Sequence, residues 1–252
     1  MAGAFIACNP DRPGIWLCRQ PGAGRCDTPD WLTGYEADTL SKLGPVRQQE
    51  YRTSRWLIRQ ALGCASGLSP DQCQPVDGRP VASVLPPGWR LSLSHSKGLA
   101  AVAAGRDRLG IDIEPHERRA NWRGVVRRWF TPAEQAWLLA ADDPLSFLRV
   151  WTLKEAWLKA TERGIAGNLQ TLEVLPGFEL FGDQADGGWH ATSFLIESFI
   201  VTLVYRSTVS TNPDATPELT MLMPPEDFQL VPARARTTRC ERLLQTVIHC
   251  KP

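Results

Sequence analysis

The chain has 252 residues, with 28 Lys and Arg against 27 Asp and Glu, a formal net charge of +1, 43% apolar and 22% charged residues. That balance excludes a disordered or fibrous protein, and it lacks the basic excess that argues for nucleic acid or an anionic membrane surface. The length suits one large domain or two of about 100–130 residues.

Met1–Cys8 is apolar but short and has no basic n-region, so no secretory leader is expected. Residues 1–30 read as loops around one short strand at Gly14–Cys18, and Trp31–Leu62 takes helical spacing with Gly63 as the expected C-cap. Residues 64–88 are loop-rich, with a turn at Asp77–Pro80. Trp89–Gly105 alternates as a hairpin about Ser96-Lys97-Gly98, and Leu109–Glu114 alternates again. Helices are expected at Asn121–Trp129, at Thr131–Ala141 with Thr, Pro and Glu in capping-box positions, and at Pro144–Glu162, stopped by Gly164. Strands follow at Leu172–Leu175, Glu179–Phe181, Trp189–Leu195 and Phe199–Arg206. The tail opens as a Ser/Thr/Asn/Pro linker and closes with an expected helix over Thr237–His249.

The seven cysteines, Cys8, Cys18, Cys26, Cys64, Cys73, Cys240 and Cys250, are odd in number and form no C-x-x-C pair. This favours reduced thiols and a cytoplasmic protein over a disulfide framework or a Cys-ligated zinc. No run approaches the ~18 apolar residues of a membrane span.

Four constellations carry chemistry. In Gly110-Ile-Asp-Ile-Glu-Pro115, strand alternation puts Asp112 and Glu114 on one face and Ile111 and Ile113 on the other, toward the core. A hard cation such as Mg²⁺ relieves the repulsion of two adjacent carboxylates. Alone, such a pair is more often a solvated strand face. In Trp151-Thr-Leu-Lys-Glu-Ala-Trp-Leu-Lys159, Trp151, Glu155 and Lys159 stack at i, i+4 and i+8. The bland alternative is a surface ion pair worth a few tenths of a kcal/mol. In Leu91–Lys97, Ser94, His95, Ser96 and Lys97 offer short donors and a cation at a hairpin end, either a phosphate cradle or a polar turn. Arg47, Arg52, Arg55 and Arg59 share a helix and Arg79 sits in a Gly-Arg-Pro turn. These are phosphate clamps or, for most, a solvated face paired to acids.

The order Arg cluster, G-R-P, S-H-S, G-I-D-I-E, F-T-P-A-E and W-x-x-K-E-x-x-x-K resembles the Sfp-type 4'-phosphopantetheinyl transferase family, over about Arg47 to Ala160 and less evenly to Tyr205. The resemblance implies an α+β fold of two similar α/β halves related by a pseudo-twofold axis, residues 1–106 and 107–206, with coenzyme A and Mg²⁺ in the cleft between them and a tail, 207–252, of unknown role. It implies Asp112, Glu114 and Glu155 as metal ligands. It implies coenzyme A contacts from Arg47, Arg79, Ser94, His95, Asp112 and Lys159, with Lys154 in the pocket or packed.

The implied reaction is attack by a serine of an apo acyl or peptidyl carrier protein on the β-phosphorus of coenzyme A, releasing 3',5'-ADP. Lys159 would stabilise the pyrophosphate, and Glu155 or Glu114 would act as base. Arg118, Arg119, Arg123, Arg127 and Arg128 are a candidate docking surface for an acidic carrier helix. The implied protein is a cytoplasmic monomer that binds neither nucleic acid nor membrane. An inactive coenzyme A-binding homologue and a metal-dependent coenzyme A pyrophosphate hydrolase are the rival readings.

Overall fold

The computed structural model describes residues 12–21, 27–76, 84–118, 121–207, 217–236 and 238–251. The fold is α+β, and the chain forms two compact units. One comprises residues 1–107 and 217–238, the other 108–216 and 239–252.

The first unit opens with β1 (Gly14–Arg19), α1 (Gly34–Ser41) and α2 (Pro45–Ser66), followed by a small pair, β2 (Gln74–Pro75) and β3 (Val84–Leu85), and a hairpin, β4 (Arg90–Ser96) and β5 (Leu99–Gly105). The hairpin turns at Lys97 (φ 42°) and Gly98 (φ 77°), where glycine carries the left-handed backbone without penalty. The expected helix over 31–62 is two helices, and the second passes Gly63 to end at Gly67 (φ 76°). Helix α2 lies against β5 and β1, where Trp56, Leu57, Ala61 and Leu62 meet Trp16, Cys18, Ala100, Val102 and Ala104. The small alanines of β5 let the helix approach.

Two of the helical arginines are buried against an acid. Arg59 and Glu36 form an ion pair at 2.6 Å with side chains 1% and 0% exposed, and Arg55 stands 3.5 Å from the same carboxylate. Glu36 is also the N3 acceptor of the α1 capping box. One buried acid thus ties α1 to α2 and caps a helix, which satisfies its lone pairs.

The second unit begins with β6 (Leu109–Pro115), α3 (Trp122–Trp129), α4 (Pro132–Ala141) and α5 (Pro144–Ala160), then β7 (Leu172–Leu175), β8 (Glu179–Gly182), β9 (Trp189–Ile196) and β10 (Phe199–Arg206). The chain then returns to the first unit as β11 (Leu219–Met223) and β12 (Arg234–Arg236), and ends in the second as β13 (Cys240–Cys250). The sheet orders are β12-β11-β1-β5-β4 and β6-β10-β9-β13-β8-β7. Helix α5 lies across β6 and β10, over a core that includes Val126, Phe130, Leu153, Trp157, Trp189 and Ile200.

The tail departs from the sequence reading. The expected helix over 237–249 is strand β13, seated between β9 and β8. Leu244 and Ile248 allow a helical period, but Thr246, Val247 and Ile248 are β-branched, and a register shift between Arg242 and Leu244 restores the pairing. Residues 228–233 are equally built in. The Trp31 and Trp56 indoles donate to the carbonyls of Phe228 (2.9 Å) and Gln229 (3.1 Å), and Gln60 donates to the Val231 carbonyl and accepts from the Ala233 amide.

Candidate active site

Strand β6 supplies the first part of the site. It carries Gly110, Asp112 and Glu114 on the face toward α5, and Ile111 and Ile113 on the other face, both buried. The carboxylates thus share the side on which this unit's helix and core lie, where the sequence reading had placed the isoleucines. The helix can lie this close only because residue 110 has no side chain. A Cβ there would stand 2.0 Å from the Ala156 carbonyl oxygen and 2.4 Å from the Ala160 amide nitrogen. Gly110→Ala is therefore expected to push α5 off β6 and cost at least 1–3 kcal/mol, read as a lower midpoint in urea unfolding. An unchanged midpoint would show that α5 has slack at this contact.

That contact brings Lys159 over the strand. Its ammonium donates to Asp112 Oδ1 at 2.8 Å and to the Ile111 carbonyl at 3.0 Å. Glu155 lies one turn earlier on α5. Burial, reinforced by the charges of Asp112 and Glu114 and opposed by Lys159, pushes its carboxyl pKa up to about 6. Glu114 is also raised, by burial first and then by Asp112, while Arg118, Lys159 and the Trp151 indole favour its charged form. The Arg118 guanidinium forms an ion pair with Glu114.

The three carboxylates therefore feel one another across β6 and α5. Three hard oxygen donors at mutual electrostatic range have the right chemistry for Mg²⁺. The set is not preassembled, because Lys159 and Arg118 hold two of the acids and, among the described residues, no three His, Cys, Asp or Glu side chains stand together as ligands.

Lys154 belongs to the packing. Its side chain is fully buried, pairs with Glu134 at 2.6 Å and donates to the carbonyls of Leu169 and Leu172. Glu134 in turn accepts from the backbone amides of Thr131 and Val174. No short-range pattern links residues 134 and 154, so the sequence gives the capping role of Glu134 and not its pairing.

The first unit holds the other candidate residues. A small, open pocket lies between α2 and the hairpin end, lined by Gln20, Glu50, Thr53, His95, Ser96 and Gly98 with Leu99 and Ala100. The two residues read together as a phosphate contact differ in exposure. His95 is exposed and lines the pocket, whereas Ser94 beside it is 8% exposed. Arg47 is exposed and pairs with Glu50 at 2.8 Å, at the edge of the same pocket. Arg79 and its turn lie outside the described residues, as does Arg119. Of the basic residues after β6, Arg123 is engaged with Asp142 and Arg118 with Glu114, while Arg127 and Arg128 are exposed at the end of α3.

Residues 108–204 match the family model of the 4'-phosphopantetheinyl transferase superfamily, and residues 35–105 match that of the 4'-phosphopantetheinyl transferase N-terminal domain. The chain is similar to the 4'-phosphopantetheinyl transferase HetI of Nostoc sp., 32% identical over 52% of this chain and 58% of the relative. It is similar to the 4'-phosphopantetheinyl transferase AcpT of Escherichia coli, 36% identical over 43% of this chain and 57% of the relative. A relative from Synechocystis sp. is 26% identical over 72% of this chain and 79% of its own length. The chain thus spans less than two thirds of the length of HetI and AcpT. No helix among the described residues is long and apolar enough to cross a membrane.

Proposed function

We propose that this chain, which belongs to the 4'-phosphopantetheinyl transferase superfamily, transfers the 4'-phosphopantetheine group of coenzyme A to a serine of an apo carrier protein, releasing 3',5'-ADP. The observation that carries the proposal is the convergence of Asp112, Glu155 and Lys159 where α5 closes on β6 at Gly110. Anions and cations at that contact are the means to hold a pyrophosphate and move a proton.

Lys159 has an ammonium already fixed at the site by Asp112 and the Ile111 carbonyl. It is assigned to the pyrophosphate oxygens, where it stabilises the charge that develops on the leaving phosphate. Glu155 is assigned as base. In the metal-free site burial raises its carboxyl to about 6, so it is ionised at neutral pH and able to accept the serine proton. Glu114 is the weaker candidate, because Arg118 neutralises it. Asp112, Glu114 and Glu155 are the residues that would hold Mg²⁺, which when bound supplies charge neutralisation at the pyrophosphate. Arg47, which pairs with the pocket residue Glu50, and His95 in the pocket lining are assigned to a phosphate of coenzyme A, with Ser94 beside His95 on β4 and Ser96 in the pocket as hydroxyl donors. The free thiols of Cys18, Cys64, Cys73, Cys240 and Cys250 support a cytoplasmic setting.

The test is intact-mass spectrometry of apo carrier proteins after incubation with the chain, coenzyme A and Mg²⁺. A mass gain of one phosphopantetheine, absent when the acceptor serine is alanine, is expected. If apo carriers of fatty acid, polyketide and peptide synthesis all stay unmodified, the proposal is wrong.

A further inference from the structure

We propose that Arg118 is a resident counter-cation on Glu114 which an incoming divalent cation must displace, so that Arg118 sets the metal affinity of the site. This inference rests on the reading of Asp112, Glu114 and Glu155 as metal ligands.

The two cations at the acid cluster are held differently. Lys159 is anchored twice, on Asp112 and on the Ile111 carbonyl, and its side chain is 29% exposed. Arg118 reaches Glu114 from an exposed turn just beyond β6, and its side chain is 41% exposed. That turn is fixed. The Arg118 amide donates to the Pro115 carbonyl at 3.0 Å, and the His116 amide donates to the Ser198 carbonyl at 2.8 Å. The guanidinium is therefore delivered to Glu114 by a short, tethered path, and solvent lies behind it when it leaves.

Charge counting gives the direction. Three carboxylates against Lys159 and Arg118 leave one net negative charge at the cluster. A divalent cation added to that set reverses the sign, whereas a divalent cation that expels Arg118 brings it to neutrality. Expulsion also frees the Glu114 oxygens for the ion. Only the Arg118 side of the pair is open to solvent, at 41% against 12% for Glu114, and the free energy of breaking the pair is subtracted from every binding event. Arg118 thereby keeps Glu114 from drawing cations indiscriminately when no substrate is present.

The experiment is a titration of the intact chain with Mn²⁺ alone, standing in for Mg²⁺ as another oxygen-seeking divalent ion. Free Mn²⁺ is read by electron paramagnetic resonance. Wild type is compared with Arg118→Met, Arg118→Lys and Arg127→Met, the last removing an exposed cation of α3 that the structure does not place on Glu114. Arg118→Met is expected to bind roughly three- to tenfold tighter, Arg118→Lys to fall between it and wild type, and Arg127→Met to stay within about twofold of wild type. Equal affinity in wild type and Arg118→Met, or an equal gain in Arg127→Met, overturns the proposal while leaving the metal reading standing. No Mn²⁺ binding by wild type or Arg118→Met overturns both.

Discussion

Glu155→Gln is expected to lower the transfer rate by about 10²–10³-fold without loss of stability. The side chain sits where burial and the charges of Asp112 and Glu114 all oppose ionisation, and only Lys159 and Arg118 favour it. Its ionised form is thus a cost to the folded state, and an isosteric amide removes that cost. The pH dependence has a definite sign. A carboxyl raised from its ordinary value near 4.5 to about 6 contributes stability that is present below 4.5 and lost as pH rises through 6. In chelator-treated protein the glutamine variant should therefore match or exceed wild type in thermal unfolding at pH 7, and the difference should close toward pH 4.5. A variant that unfolds early yet transfers at the wild-type rate would show that Glu155 is a packing residue.

Lys154→Met should do the opposite. The substitution leaves Glu134 charged, buried and facing no cation, and removes the donor that the Leu169 and Leu172 carbonyls share. Breaking one side of a fully buried pair costs about 3–5 kcal/mol, which for a chain of this size is roughly 6–20 °C in Tm. Burial already lowers the lysine's pKa against the opposing pull of Glu134, so the ammonium owes its charge to that partner. Adding Glu134→Gln should recover much of the loss, because glutamine keeps an oxygen for the Val174 amide without the stranded charge. If the single variant unfolds within a degree or two of wild type, the buried pair contributes nothing net. Neighbours in sequence, Lys154 and Glu155 thus differ in setting: one is buried in the ion pair with Glu134, the other lies in the acid cluster and is the proposed base.

Features fixed by a few adjacent residues were legible from the sequence. The Thr131 capping box, the Lys97-Gly98 turn and the alternation of Asp112 and Glu114 each depend on local geometry, and each is present. The meeting of β6 and α5 was legible only through the order of motifs, since nothing in either segment names the other. Gly110 was quoted as part of a motif, but its necessity comes from the Ala156 carbonyl 2.0 Å from its missing Cβ, a fact of packing. The buried Glu36–Arg59 and Glu134–Lys154 pairs escaped for the same reason, because burial of a charge is decided by what covers it. The tail failed most instructively. Residues 240–250 take the conformation that the slot between β9 and β8 demands, and a local period could not reveal a slot formed by strands more than 40 positions earlier.

The central claim is that the Asp112, Glu155 and Lys159 cluster drives transfer to a protein serine. Its most direct measurement is release of 3',5'-ADP from coenzyme A and Mg²⁺ with and without an apo carrier. The account predicts release that requires the carrier, matches the carrier modified mole for mole, and stops when its serine is alanine. Release at the same rate without the carrier would mean that water is the acceptor, and the assignment as a transferase would be contradicted.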